Sequence, residues 1–147
     1  MTKRTKRLVL IIIAAVILVA STTAYLLWNK PHKNVKDAVS VEVAATDLFS
    51  IFITDSIKAK ALYTDKVVQV SGKIAKLSIN QEAQQVILFE TGVAGAYINC
   101  TMEEKTTGFN EGDKIILKGI CSGYISGDID MGLPGDVFLT RCYLFKQ

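Results

Sequence analysis

Histidine is almost missing from this chain of 147 residues, which contains only one, His32, together with two prolines and three cysteines. No two cysteines form a Cys-x-x-Cys pair, so the ligand spacing of a zinc site is absent. The chain also lacks the Gly-x-Ser-x-Gly and Ser-x-x-Lys motifs of serine hydrolases. We therefore expect no catalytic residue, no metal site and no cofactor, and we predict that the protein is not an enzyme.

Charge is absent from residues 8–28, a run of 21 mostly apolar residues. At a rise of 1.5 Å per residue, about 20 such residues cross a bilayer core of roughly 30 Å. The hydroxyls of Ser21, Thr22 and Thr23 interrupt the run, but they can bond back to the helix backbone. The sequence thus predicts a transmembrane anchor over residues 8–28, after a basic tail over residues 1–7. A cleaved signal peptide, with the same basic start and apolar middle, is the alternative.

The charges beside this run predict its orientation. Four basic residues precede it and three follow it. The positive-inside rule favours a cytoplasmic N-terminus, and translocating four charges on a short tail would be costly. We expect a single-pass protein of the cell membrane, with its C-terminal domain outside the cytoplasm.

An excess of positive over negative charge occurs only in the first 40 residues of the chain. Residues 1–40 hold seven Lys/Arg and one Asp, a net charge of +6, whereas residues 41–147 hold ten Lys/Arg and thirteen Asp/Glu, a net charge of −3. Proteins that bind phosphate backbones usually present a basic face. Nucleic acid is therefore a less favoured partner than a protein or a small ligand.

The remaining chain is organised as a stalk, a helix and a run of strands. Residues 29–45 are polar and then mildly apolar, and we interpret them as a stalk. Residues 47–63 place Leu48, Phe49, Phe52, Ala59 and Tyr63 on one side at helical spacing, which predicts one amphipathic helix. This helix begins the domain that we assign to residues 46–147.

From residue 66 onward the hydrophobic period is two, which is typical of strands. The apolar positions change parity after Ala75, which indicates a β-bulge in a long first strand. The five predicted strands are residues 66–79, 84–90, 94–102, 114–123 and 136–145. We predict an all-β fold with an added helix. It is a five-stranded, OB-fold-like Greek-key barrel preceded by one α-helix and the N-terminal transmembrane helix. An unrelated small barrel or sandwich is the alternative.

Several short segments carry a likeness to a known family: KVVQVSGKI, AYINC, EGDKIILKGICSGY and DVFLTRCYL. In this order they resemble the tRNA_anti-like family, a group of bacterial OB-fold proteins. Asp65 departs from its pattern, because the family usually has glycine before Lys66. The resemblance, over roughly residues 47–147, implies an OB fold and a membrane or lipid anchor, and it implies nothing about tRNA binding. The matching positions are Tyr63, Gly72, Cys100, Gly112, Gly119, Cys121, Leu139 and Cys142.

Cys121 and Cys142 lie in the fourth and fifth predicted strands, which are neighbours in an OB barrel. A disulfide could join them outside the cytoplasm if their Cα atoms approach within about 7 Å. The alternative is that all three cysteines are buried thiols, packed as small hydrophobic residues.

Basic and aromatic residues on the strands could form a binding face. Such a face would combine lysine charge with tyrosine stacking. The alternative is that these are ordinary solvent-facing positions. The candidate residues of this face are Lys73, Lys76, Tyr97, Lys118, Tyr124 and Arg141.

Our functional hypothesis is a non-enzymatic, membrane-anchored envelope protein whose OB-fold domain binds a protein or a small ligand. An oligonucleotide- or oligosaccharide-binding module is the alternative.

Overall fold

The structure is a computed structural model that describes residues 3–28, 35–128 and 130–145. It divides into two compact units, residues 1–33 and 34–147, and each is described by itself. Within the described residues, the first unit contains one helix, and the second contains two helices and six strands.

The first unit is built on helix α1, Lys3–Trp28, which begins inside the predicted basic tail. The hydroxyls of Ser21, Thr22 and Thr23 each donate a hydrogen bond to the carbonyl four residues earlier, as predicted. Among the described residues, no helix combines the length and the hydropathy that a membrane crossing requires. Helix α1 confirms the helical conformation of residues 8–28. Their role as a membrane anchor stays a prediction.

The second unit contains a strand where a stalk was expected. Strand β1, Val41–Ala44, pairs in parallel with the first part of strand β2, Val67–Ile79. Val35 is also buried, with 2% of its surface exposed. The stalk predicted over residues 29–45 is thus wrong at its C-terminal end, because a strand of four residues is too short for its periodicity to stand out. Residues 29–34 lie outside the described residues.

Two helices replace the single helix predicted over residues 47–63. Helix α2 is Ala45–Thr54 and helix α3 is Ser56–Tyr63. Asp55 separates them, and its Oδ1 accepts a hydrogen bond from the backbone N–H of Lys58 at 3.0 Å. The carboxylate therefore caps a new helix, which is why the first one ends there.

Five strands close into a barrel. β2 pairs antiparallel with β5 along its first half and with β3 along its second half. β3 pairs antiparallel with β4, β4 parallel with β6, and β6 antiparallel with β5, so the circle is complete. The predicted closed five-stranded, OB-like barrel is confirmed, with β1 as a sixth strand at its edge. The four further strands are β3, Gln85–Glu90; β4, Tyr97–Met102; β5, Lys114–Ile125; and β6, Asp136–Leu144.

A bulge in β2 lies where the sequence predicted it. Ile74 pairs with Phe89, and the next paired residue, Lys76, faces Leu88, so Ala75 is the extra residue. After the bulge and the change of parity, Leu77 packs partly buried against the core, whereas Ile79 near the strand end is 63% exposed.

Helix α2 packs against one end of the barrel, where it contacts strands β2, β3, β4 and β6. Phe49 and Phe52 are each 1% exposed, and both rings lie against Tyr124 of β5. Complete burial of each Phe contributes roughly 1.5–3 kcal/mol. The five side chains assigned to the buried side of the helix, Leu48, Phe49, Phe52, Ala59 and Tyr63, are all buried, as predicted.

Candidate functional site

One row of side chains crosses the outside of the barrel from β2 to β6. In the strand register, Lys76 faces Leu88, Leu88 faces Asn99, and Asn99 faces Phe138. We call these four residues the outer row. Leu88, Asn99 and Phe138 are half-buried while their strand neighbours are fully buried, as expected when alternate side chains point to opposite faces. This is the side of an OB barrel on which ligands bind.

A carboxylate orders the polar part of this surface. Asp136 Oδ1 accepts a hydrogen bond from the backbone N–H of Tyr97 at 2.7 Å. Its Oδ2 accepts a second bond from Asn99 Nδ2 at 2.8 Å. The Asn99 amide is therefore held by its nitrogen, which leaves its oxygen as an acceptor for a ligand.

Beside the outer row, Lys73 and Glu90 form an ion pair with an Nζ–Oε1 distance of 3.0 Å. Both side chains are about half exposed, so the pair contributes little stability. It does cancel the charge of Lys73 locally. The pair borders a cleft of about 640 Å³, which Gly72, Lys114 and Ile115 also line.

Three of the six predicted face residues gather here, and three do not. Lys73, Lys76 and Tyr97 lie on or beside the outer row. Lys118 is only 7% exposed, and its Nζ donates a hydrogen bond to the carbonyl of Lys36 at 3.1 Å. The assignment of Lys118 to a binding face is therefore wrong, because the segment that precedes β1 covers it.

Tyr124 and Arg141 are also outside the outer row. The Tyr124 hydroxyl donates a hydrogen bond to the carbonyl of Pro134 at 2.6 Å, and its ring stacks on Phe52 at 6.2 Å. A tyrosine held at both ends cannot serve as a free stacking platform, so this assignment is wrong too. Arg141 lies on β6 with φ of 53°, where the β4–β6 register shifts.

The three cysteines Cys100, Cys121 and Cys142 are free, buried thiols. The possible disulfide between Cys121 and Cys142 is not formed, and in the β5–β6 register Cys121 pairs with Leu139 rather than with Cys142. Burial raises the pKa of Cys100 well above its usual value, and it raises the pKa of Cys121 to about 11. The thiols of Cys100 and Cys121 are therefore protonated at neutral pH. No metal-binding group of three His, Cys, Asp or Glu residues occurs in the part of the chain that the structure describes.

Four residues of this surface were not predicted from the sequence: Leu88, Asn99, Asp136 and Phe138. The signal was available for three of them, since period-two alternation within the predicted strands puts them on the face opposite the core. The three residues were not selected as binding candidates because none of them is basic, and only one is aromatic. The contact of Asp136 with β4 depends on strand pairing, which the pattern does not reveal.

Comparisons with known proteins add a family and one structural likeness. The model of the tRNA_anti-like family matches residues 1–131. The matched part thus includes residues 1–46, which the likeness seen in the sequence left out, and stops before β6. No curated protein matches the chain. A solved structure of a protein assigned as an aspartyl-tRNA synthetase, from Leishmania major Friedlin, is similar at 6% identity and a TM-score of 0.38. The match covers 79% of this chain but only 22% of that one, and it supports no inference about activity.

Proposed function

The chain belongs to the tRNA_anti-like family, and from this premise we propose that its barrel is a non-enzymatic binding module of the cell envelope. The outer row is the surface that contacts a protein or a small ligand. The observation that carries this proposal is the composition of the row. It combines two half-exposed apolar side chains, Leu88 and Phe138, with the oriented amide of Asn99.

Charge supports a ligand other than nucleic acid. The cation of Lys73 is paired with Glu90, Lys118 is buried, and Asp136 lies beside Tyr97. Residues 41–147 carry a net charge of −3. A protein gains most of its affinity for a phosphate backbone from basic side chains, and few unpaired basic side chains are available on this surface.

We further propose that residues 8–28 anchor the protein in the cell membrane, with the barrel outside the cytoplasm. The support is the uncharged run of 21 residues and the excess of basic residues before it. Extraction of membranes with alkaline carbonate tests the anchor. We expect the chain to stay in the membrane pellet, and a soluble product that starts near Tyr25 would identify a cleaved signal peptide instead.

Site-specific crosslinking tests the outer row. A photoreactive phenylalanine analogue at Leu88 should crosslink the full chain to one discrete ligand in membranes, whereas the same analogue at the exposed loop residue Thr107 should not. Equal crosslinking from the two positions, or none from position 88, would refute the proposal.

An oligonucleotide- or oligosaccharide-binding module is the alternative, and one observation favours it. Tyr97 is half-buried on β4 and pairs with Glu90 of β3, which forms the ion pair with Lys73 of β2, and an aromatic ring on a face that also carries lysines can stack on bases. Fluorescence anisotropy with single-stranded oligonucleotides distinguishes a module that binds oligonucleotides from one that binds a protein or a small ligand. Binding that weakens as salt rises from about 50 to 200 mM would support the alternative, and we expect no binding at either concentration.

A further inference from the structure

A second cleft, of about 370 Å³, lies where helix α3 ends beside strands β5 and β6. It contains side chains of both charges, hydroxyl groups and apolar surface. In the described structure Lys60 and Asp65 do not pair with each other, so each charge is free to meet a ligand. The lining residues used below are Lys60, Thr64, Asp65, Ser122, Ile125 and Phe138.

The hydroxyl of Thr64 is the first sign of a ligand. Thr64 Oγ1 is buried and has no hydrogen-bond partner among the described residues. Such an oxygen costs free energy unless something binds it. A Cβ added at Gly123 would lie 3.8 Å from this oxygen, in van der Waals contact with it. Because glycine has no Cβ, this small space beside the Thr64 hydroxyl is unfilled.

The backbone of Asp65 is the second sign. Its φ is +61°, a left-handed conformation that glycine adopts without strain and that aspartate adopts at a smaller cost than most other residues. Its N–H donates a hydrogen bond to the carbonyl of Cys121 at 2.8 Å, which fixes this conformation against β5. The chain thus holds a carboxylate at a position that favours glycine. Strain of this kind is concentrated at functional sites.

Part of the cleft lining is apolar. Phe138 is half-buried at the end of the outer row, and in the β5–β6 register it faces Gly123, which has no side chain to cover it. Ile125 is 63% exposed. A ligand that fits this cleft therefore needs one positive group, one negative group and a small apolar part.

We propose that the cleft binds a small zwitterion of the α-amino-acid class with an apolar side chain. The ligand ammonium donates to the Asp65 carboxylate and to Thr64 Oγ1, and the Lys60 ammonium donates to the ligand carboxylate. The apolar side chain lies on Phe138 and Ile125. This assignment rests on the proposed role of the barrel as a binding module, and it gives that module a ligand class.

Calorimetric titration of the full chain in nanodiscs tests the ligand class with three matched probes. L-Leucine carries both charges, leucinamide lacks the carboxylate, and 4-methylpentanoate lacks the ammonium. We expect L-leucine to bind about tenfold or more tightly than either analogue, because each lost charge removes a charge-assisted hydrogen bond. No heat with L-leucine, or equal affinity for all three probes, would overturn the proposal.

Two substitutions test the residues. Asp65→Gly removes the carboxylate and relieves the left-handed strain, so L-leucine affinity should fall about tenfold while thermal stability stays equal or rises. Thr64→Val removes the unpartnered hydroxyl and should lower affinity several-fold without loss of stability. Thr54→Val is the matched control, since the Thr54 hydroxyl bonds to its own helix at Ser50. Leucine affinity unchanged in both cleft variants would refute the assignment.

The crosslinking and calorimetry experiments test the outer row and the amino-acid cleft independently. If L-leucine binds but position 88 yields no crosslink, the cleft remains and the outer row does not. If the crosslink forms and leucine does not bind, the barrel is a binding module and the cleft has no role in it.

Discussion

Substitution of Gly119 by alanine should destabilise the barrel through one identifiable collision. Gly119 lies on β5, and a Cβ added to it would lie 2.5 Å from the sulfur of Cys142 and 3.2 Å from the carbonyl oxygen of Thr140. Its φ is not in the left-handed region, so the cost is steric. Overpacking of a tight core typically costs about 1–3 kcal/mol, and we expect Gly119→Ala to lower the free energy of unfolding by that amount.

A double-mutant cycle separates the collision with sulfur from other effects. Cys142→Ala removes the sulfur and costs stability on its own, because it leaves space in the core. In the double variant the added methyl of residue 119 meets less resistance. The two changes together should therefore cost at least about 0.5 kcal/mol less than the sum of the single costs. The contact with the Thr140 carbonyl persists, so full compensation is not expected.

The assay uses Cys100, a buried thiol that all these variants retain. The urea dependence of its alkylation, followed by mass spectrometry on the full chain in nanodiscs, reports exposure of the core. Gly112→Ala is the control, since it has open space but a φ of +92°. It therefore adds backbone strain without a collision. Additive costs in the cycle, or a Gly119→Ala variant as stable as the parent, would contradict the steric argument.

Two further predictions concern a helix cap and a buried thiol. Asp55→Ala should lower stability by about 0.5–2 kcal/mol, because the Lys58 N–H loses its cap at the start of α3; an unchanged urea midpoint would exclude the cap as a stabilising contact. The pKa of Cys121 is raised from 9.0 to about 11, so the folded state retains a proton that the unfolded chain loses, and stability should fall as pH rises from 9 towards 11. Cys121→Ala should reduce this decline, and urea midpoints measured at pH 8, 9 and 10 in both proteins would test it.

The barrel could be predicted because the sequence patterns that specify its strands are local. Alternation along each strand fixes which side chains face inward, and the parity change at Ala75 fixes the bulge in β2. The prediction of which side of residues 47–63 is buried was likewise correct for all five side chains. The break at Asp55 escaped because the same side chains remain buried across it, so the helical period continues through two helices.

The features that were missed depend on contacts between distant residues. β1 is stabilised by its pairing with β2, including the bond from Gln69 Nε2 to Glu42 Oε1 at 3.1 Å, and its own four residues carry a weak pattern. Lys118 looked available because it alternates with core residues. It is buried because residues more than 80 positions earlier in the chain cover it. Spacing along the sequence does not report such coverage.

The pairing of β2 also determines how this domain can bind. Its first half pairs with β5 on one side, and β1 occupies the other side, where β3 does not reach. Without β1, the backbone groups of that half would form an open edge, to which an extended peptide could add as a strand. β1 moves the edge outward and shortens it to four residues, one of which is the charged Glu42. Long backbone-mediated strand addition is therefore disfavoured on this side of the domain. The surfaces proposed for binding present side chains instead, so single substitutions such as Asp65→Gly should change affinity without disturbing the sheet.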